Sequence, residues 1–225
     1  ISSDVADQYL NAILEAWTPA EYGARAVYET LFGINNPSGK LPVSVAYNAG
    51  QIPVYYNHPW GSANHQGESI GFANYLDMPH TPRYCFGYGL SYSNFAYSDF
   101  HLDKERVLPT ETITVSVKIT NQSDMVGTEI VQLYLSDRYA SRTRPVQELA
   151  GFIRVVLEPG ESRMVSFRVQ PSQLAFLDKD MRWKIEKGAV DVRVGSSSED
   201  IRLEGTFSIS ENQWIRGRDR AFYAE

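Results

Sequence analysis

The sequence predicts a mainly β protein: an immunoglobulin-like β-sandwich, preceded by the last strand–helix unit of an α/β sandwich and a long aromatic-rich linker. Three observations carry this. From about Phe95 onward, apolar and polar residues alternate with a period of two. Before that, residues 12–33 change from an apolar run to helical spacing. Between them, residues 40–94 are rich in Pro, Gly, Asn and Tyr and have little periodicity. These shifts divide the chain into an incomplete α/β end (1–45), a wrapping linker (46–94), the sandwich (95–210) and a tail (211–225).

Ala12-Ile-Leu-Glu-Ala-Trp17 reads as a short strand. Pro19 opens a stretch in which Ala26, Val27 and Leu31 recur at helical spacing. Gly33 follows Phe32, where a helix end takes a residue that tolerates a left-handed backbone. Asn35-Asn-Pro-Ser-Gly39 is turn chemistry. One such unit cannot cover both faces of a parallel strand. The rest of its sheet is expected before Ile1 or on another chain.

The linker carries aromatic anchors, among them Tyr55, Tyr56, Trp60, Phe86 and Tyr88. In the sandwich, Ile113, Val115, Val117 and Ile119 point one way, with Thr, Ser and Lys between them pointing the other. The pattern returns at Val131, Leu133 and Leu135, at Val165, Phe167 and Val169, and at Val190, Val192 and Val194. Turn residues at 121–124, 158–161, 186–188 and 195–198 separate the runs. About seven short strands at this spacing predict a sandwich. The Cys–Trp–Cys pattern of an immunoglobulin domain is missing, which selects a fibronectin type III-like variant. In the tail, aromatics that pack back on the body and solvated arginines are both open readings.

Composition removes whole classes of function. Lys and Arg number 21 against 27 Asp and Glu, and they are scattered, so no phosphate-tracking nucleic-acid surface is expected. No apolar run approaches the roughly 20 residues of a membrane helix. The single cysteine, Cys85, allows neither an internal disulfide framework nor a cysteine zinc cluster, and between Tyr84 and Phe86 it reads as a buried thiol.

Candidate chemistry is sparse. Gly33 to Lys40 contains Pro-Ser-Gly-Lys but fails phosphate-loop spacing, and Leu41 stands where Ser or Thr is needed. Gly87-Tyr-Gly-Leu-Ser-Tyr92 lacks the third glycine of a dinucleotide loop and reads as a tight entry into the sandwich. The four histidines show no HExxH spacing, and a site built from His58, His65, Glu68 and Asp77 on a loop is the only metal candidate. Glycosidic chemistry needs two carboxyl groups facing one bond. Glu15, Glu21, Glu29, Glu68 and Asp77 are available, and no pair among them can be placed. Asn57-His-Pro-Trp-Gly61 joins hydrogen-bonding groups to an aromatic plate and is a candidate sugar-contacting loop.

Several ordered segments carry a resemblance. Ala12–Pro19, Leu31-Phe-Gly33 and Asn36-Pro-Ser-Gly-Lys-Leu-Pro42 come first. Ile52-Pro-Val-Tyr-Tyr-Asn-His58, Tyr75-Leu-Asp77 and Phe86-Gly-Tyr-Gly-Leu-Ser-Tyr92 follow. Val131-Gln-Leu-Tyr134, Thr143-Arg-Pro-Val146, Glu148-Leu-Ala-Gly-Phe152 and Leu157-Glu-Pro-Gly-Glu161 complete the set. Together they resemble the C-terminal part of glycoside hydrolase family three, β-glucosidases and β-xylosidases: the end of the α/β sandwich plus the fibronectin type III-like domain. The resemblance implies a retaining exo-acting parent with an Asp nucleophile and a Glu acid/base, both upstream of this chain. No catalytic residue, metal or cofactor is assigned here. The implied partners are β-glucoside or β-xyloside oligosaccharides, handled by the complete enzyme, and the catalytic domains of the same protein; an oligomer is compatible. His58, Trp60 and Asn74 would border outer sugar subsites. Departures from the family pattern include Ala20, Tyr22, Ala24, Asn74, Arg83 and Cys85. The alternative is a non-catalytic carbohydrate-binding or protein-interaction β-sandwich module.

Overall fold

A computed structural model describes residues 4–60, 78–137 and 139–225. Its strands are β1 (Phe95–Leu102), β2 (Arg106–Val107), β3 (Ile113–Asn121), β4 (Gly127–Ser136), β5 (Glu148–Leu157), β6 (Ser162–Val169), β7 (Phe176–Leu177), β8 (Trp183–Ile185), β9 (Gly188–Gly195), β10 (Ile201–Ile209) and β11 (Gln213–Ile215). Two helices precede them, α1 (Asp4–Tyr9) and α2 (Gly23–Leu31). The molecule is mainly β, as the period-two runs predict.

One sheet has the order β1-β3-β6, and the sheet facing it has the order β2-β10-β9-β4-β5. All pairs are antiparallel except β2 with β10. Alternation decides what lies between the sheets. Ile113, Val115, Val117 and Ile119 of β3 are all at 0% exposure, and Phe167 of β6 and Leu133 of β4 join them. Each such side chain contributes about 1.5–3 kcal/mol relative to exposure. A third, small sheet of order β11-β8-β7 caps one end through Trp183 and Ile215, which pack against this core.

Strand β4 breaks the alternation. Thr128 and Ile130 are half-buried on its outward side, but from Val131 to Ser136 every residue is buried. The linker supplies the second cover, as the next section details.

The segment before the sandwich behaves differently. Neither α1 nor α2 contains a buried residue. Helix α2 closes as its sequence asks. The Ile34 N–H reaches Glu29 O at 2.8 Å and the Gly33 N–H reaches Thr30 O at 3.2 Å, with Gly33 at φ +71°. That is a Schellman closure, which needs a left-handed residue at the glycine. The strand read at residues 12–17 enters no ladder among the described residues, because a lone strand has nothing to pair with. Helix α1 has no counterpart in the sequence reading.

The tail resolves the two open readings. Phe222 and Tyr223 stay exposed, while the backbone packs back. The Ala224 N–H donates to Ala150 O of β5 at 2.7 Å, and Arg168 of β6 and Glu225 exchange backbone bonds of 2.6 and 3.1 Å. Arg220 is partly covered, with its guanidinium 4.9 Å from the Trp183 ring centre.

Candidate functional site

The linker is held on the outward face of β4 by polar side chains. Gln132 donates to Gly87 O at 3.1 Å and to Ser196 O at 2.6 Å, and accepts from the Tyr134 hydroxyl at 2.6 Å. A buried amide satisfied this way fixes its neighbours, since an unmade bond there costs about 1–3 kcal/mol. Gly87 sits at φ +79°, and a Cβ there would lie 2.1 Å from Gln132 Oε1. Phe86 stacks on Tyr56 with centroids 4.2 Å apart, and Tyr56 meets Tyr134 edge-on at 6.0 Å. The Val131-Gln-Leu-Tyr and Phe86-Gly-Tyr-Gly segments are thus two sides of one seam.

A second clasp lies nearer the helices. Lys40 Nζ reaches Ser196 Oγ at 2.8 Å, Gly89 O at 3.2 Å and Glu129 Oε1 at 3.5 Å, with both charged side chains largely buried. Asn36 donates to Ser93 Oγ and Val126 O, and its Oδ1 accepts from the Ser91 hydroxyl and the Tyr92 N–H. Asn36 and Lys40, which invite a phosphate-loop reading, are fasteners between linker and sandwich. Gln51, 2% exposed, does the same within the linker by donating to the carbonyls of Pro79, His80 and Thr81.

His58 and Trp60 lie together on one strip of backbone. The Val146 N–H donates to His58 O at 2.9 Å and the Trp60 N–H donates to Arg144 O at 3.3 Å. Both residues are half-buried. Arg144 pairs with Glu148 at 3.0 Å and lies 5.2 Å from the Phe176 ring centre. Nearby Asp137 has its carboxyl pushed up by burial, against the pull of Arg144. Asn74 lies outside the described residues, as do His65, Glu68 and Asp77 of the loop candidate. Among the described residues no three His, Cys, Asp or Glu side chains are grouped to hold a metal. Cys85 is buried and its thiol lies 3.3 Å from Ser197 Oγ, which fits its reading as a packing residue.

The sequence marks Arg83 only as a departure from the family pattern, and the β11 groove has no counterpart in it. The Arg83 side chain is 4% exposed, pairs with Asp4 and Asp7 of α1, and lies 4.6 Å from the Tyr47 ring centre. The Tyr84 hydroxyl donates to Asp7, and that bond pushes its pKa up to about 12. Charge pairing 79 positions apart along the chain leaves no periodic trace. The groove has a volume of about 560 Å³ and is lined by residues of β8, β11 and the turn after β11, with Trp183 and Trp214 among them. Trp214 and the arginines after it are visible in the sequence, but the small sheet that arranges them is too short to show a period.

Comparison with known proteins places these features in a lineage. Residues 1–92 match the glycosyl hydrolase family 3 C-terminal domain, and residues 129–198 match the fibronectin type III-like domain. The chain is 38% identical over 205 residues to a periplasmic β-glucosidase of Salmonella typhimurium, covering 90% of this chain and 27% of that protein. It is 40% identical over 193 residues to a putative β-xylosidase of Formosa agariphila, covering 85% and 24%. A crystal structure of a β-glucosidase from Listeria innocua in complex with glucose superposes with a TM-score of 0.80 at 37% identity, covering 87% of this chain and 27% of that one. The chain spans about a quarter of the length of these relatives. Two domain matches in this order and a matching superposition lead to one statement: the chain belongs to glycosyl hydrolase family 3, through that family's C-terminal domain and a fibronectin type III-like domain.

Proposed function

We propose that this chain is part of a retaining exo-β-glycosidase that releases terminal β-linked glucose or xylose by double displacement, and that these residues brace the catalytic domains. In this reading the nucleophilic Asp and the acid/base Glu belong to the part of the relatives that the chain does not span. Residues 1–45 join the α/β domain, 46–94 wrap, 95–210 support and 211–225 fasten. The carrying observation is the apolar surface before the sandwich: Leu10, Trp17, Tyr22, Leu31, Phe32 and Ile34 are each at least 58% exposed. So many exposed apolar side chains within residues 10–34 ask for a partner surface, and the covering half of an α/β domain is the partner its sequence fits.

The test is a full-length parent truncated after Ser93. The expected outcome is a lower thermal midpoint and a reduced kcat. Unchanged stability and rate overturn the bracing role. The same reading puts His58, Trp60 and Asn74 at the border of outer sugar subsites. Trp60→Ala in the parent is then expected to raise KM for oligosaccharides several-fold while leaving aryl-glycoside turnover unchanged.

A further inference from the structure

We propose that the groove beside β11 is a carbohydrate-binding site, taking a neutral oligosaccharide chain on the face of Trp214. The argument starts from the small sheet. β11 is its edge strand, and the register sets Trp214 opposite Lys184 and Ile215 opposite Trp183. Ile215 and Trp183 therefore turn toward the sandwich core, and Trp214 turns away from it. Its ring is 50% exposed. Gly217 lets the chain close against Trp183, since a Cβ there would lie 2.7 Å from the indole Nε1. The half-buried Trp183 and the exposed Trp214 thus both line the groove.

The exposed ring is held in place. Trp214 Nε1–H donates to Asp178 Oδ2 at 2.8 Å, and Asp178 Oδ1 accepts from the backbone N–H groups of Asp180 and Arg182. An aromatic plate fixed beforehand loses little freedom when a ligand stacks on it. A hydrogen-bonding group lies in the same groove: the Arg216 guanidinium, fixed by two bonds of 2.7 and 3.1 Å to Asp219.

Charge selects the ligand class. Arg182 pairs with Asp178 and Asp180, Lys184 with Glu186 and Arg216 with Asp219. These cations already have carboxylate partners, so the groove has little reason to prefer an anion; Arg182 and Lys184 also lie 5.3 and 5.9 Å from the Trp214 ring centre, so the ligand takes the part of the ring they leave open. An apolar plate ringed by paired polar groups asks for a neutral ligand with one apolar face and hydroxyls at its rim. A pyranose chain has that form. The choice of sugar among such ligands rests on the glycosidase reading above; the groove's geometry does not.

The test titrates the 225-residue chain with cellohexaose, laminarihexaose and xylohexaose, followed by tryptophan emission and by heat. At least one is expected to saturate with a change in emission. Trp214→Ala is expected to weaken that binding about tenfold or more, and Trp214→Phe to retain most of it. No saturation by any of the three overturns the site. So does equal binding by Trp214→Ala, or equal binding of an anionic oligogalacturonate. If a melt shows Trp214→Ala unfolded, Arg216→Ala decides: affinity within experimental error of the parent chain overturns the proposal, and a loss of several-fold supports it. A full-length enzyme that hydrolyses aryl glycosides while this chain binds no sugar overturns the groove alone. Sugar binding by the chain with an inactive full-length protein overturns the glycosidase reading alone.

Discussion

The β-sandwich and the segment before it follow the same sequence grammar and reach opposite ends. On β3, four apolar residues at alternate positions are completely buried. On and beside α2, Tyr28, Leu31 and Phe32 stand at 53%, 64% and 71% exposure. The difference lies in who supplies the second face. The sandwich supplies its own, because its two sheets come from one continuous run of chain. The helical segment has only the linker clasps beside it. Periodicity therefore reports which face is built for burial, and topology reports whether the partner is within reach.

The largest test of this contrast is a pair of core truncations. Phe167→Ala is expected to cost about 3–5 kcal/mol and Leu133→Ala about 2–5 kcal/mol, read by urea unfolding. Leu31→Ala in the same chain is expected to stay within about 0.5 kcal/mol. Equal costs would break the contrast. In the full-length protein, a larger cost for Leu31→Ala would sharpen it.

Next comes the seam that joins the two regions. Gly87→Ala forces a side chain onto a positive φ and against Gln132, at a cost of roughly 1–3 kcal/mol. Faster exchange of the Leu41 and Gly87 amides, whose bonds tie the segment before the linker to the linker beside this contact, is the local readout. A global loss of stability with both amides still protected would show that the linker is not a separately opening layer.

Removing residues 222–225 is a smaller change, worth about 1 kcal/mol. Its signature is specific, because the Arg168 N–H donates to Glu225 O. That amide should exchange faster while the inner β3 amides stay protected. Unaltered protection at Arg168 would rule out the tail as a fastener.

The smallest effect is electrostatic. The backbone N–H of Arg182, then the Trp214 indole, hold the Asp178 carboxyl down from 3.8 to about 2. A lowered folded pKa means the contribution is complete above about pH 4 and is lost as pH falls through about 2. Trp214 emission should stay level down to about pH 4 and change below it. In Asp178→Asn the acid step should vanish, and its persistence would assign the step to another group.

Much of the fold was legible because strands announce themselves locally. The runs at 113–119, 131–135, 165–169 and 190–194 became β3, β4, β6 and β9. Gly33 announced the end of α2 for the same reason: a left-handed backbone restricts residue choice. What stayed hidden is non-local. Nothing near Gln132 reveals that it holds Gly87 O, 45 positions away. Arg83 looked like a departure from a family pattern and turned out to hold α1 in place. β7, β8 and β11 are two or three residues each, too few for alternation to be read. The groove that β8 and β11 frame could be found only after folding.

The tail also covers part of two sheet edges. β5 and β6 are the outer strands of their sheets on the same flank of the sandwich, and unpaired outer strands are where one protein adds to another. Residues 224 and 225 occupy Ala150 O and both backbone groups of Arg168. The chain thereby fills, with its own backbone, hydrogen-bonding positions that an added strand would need.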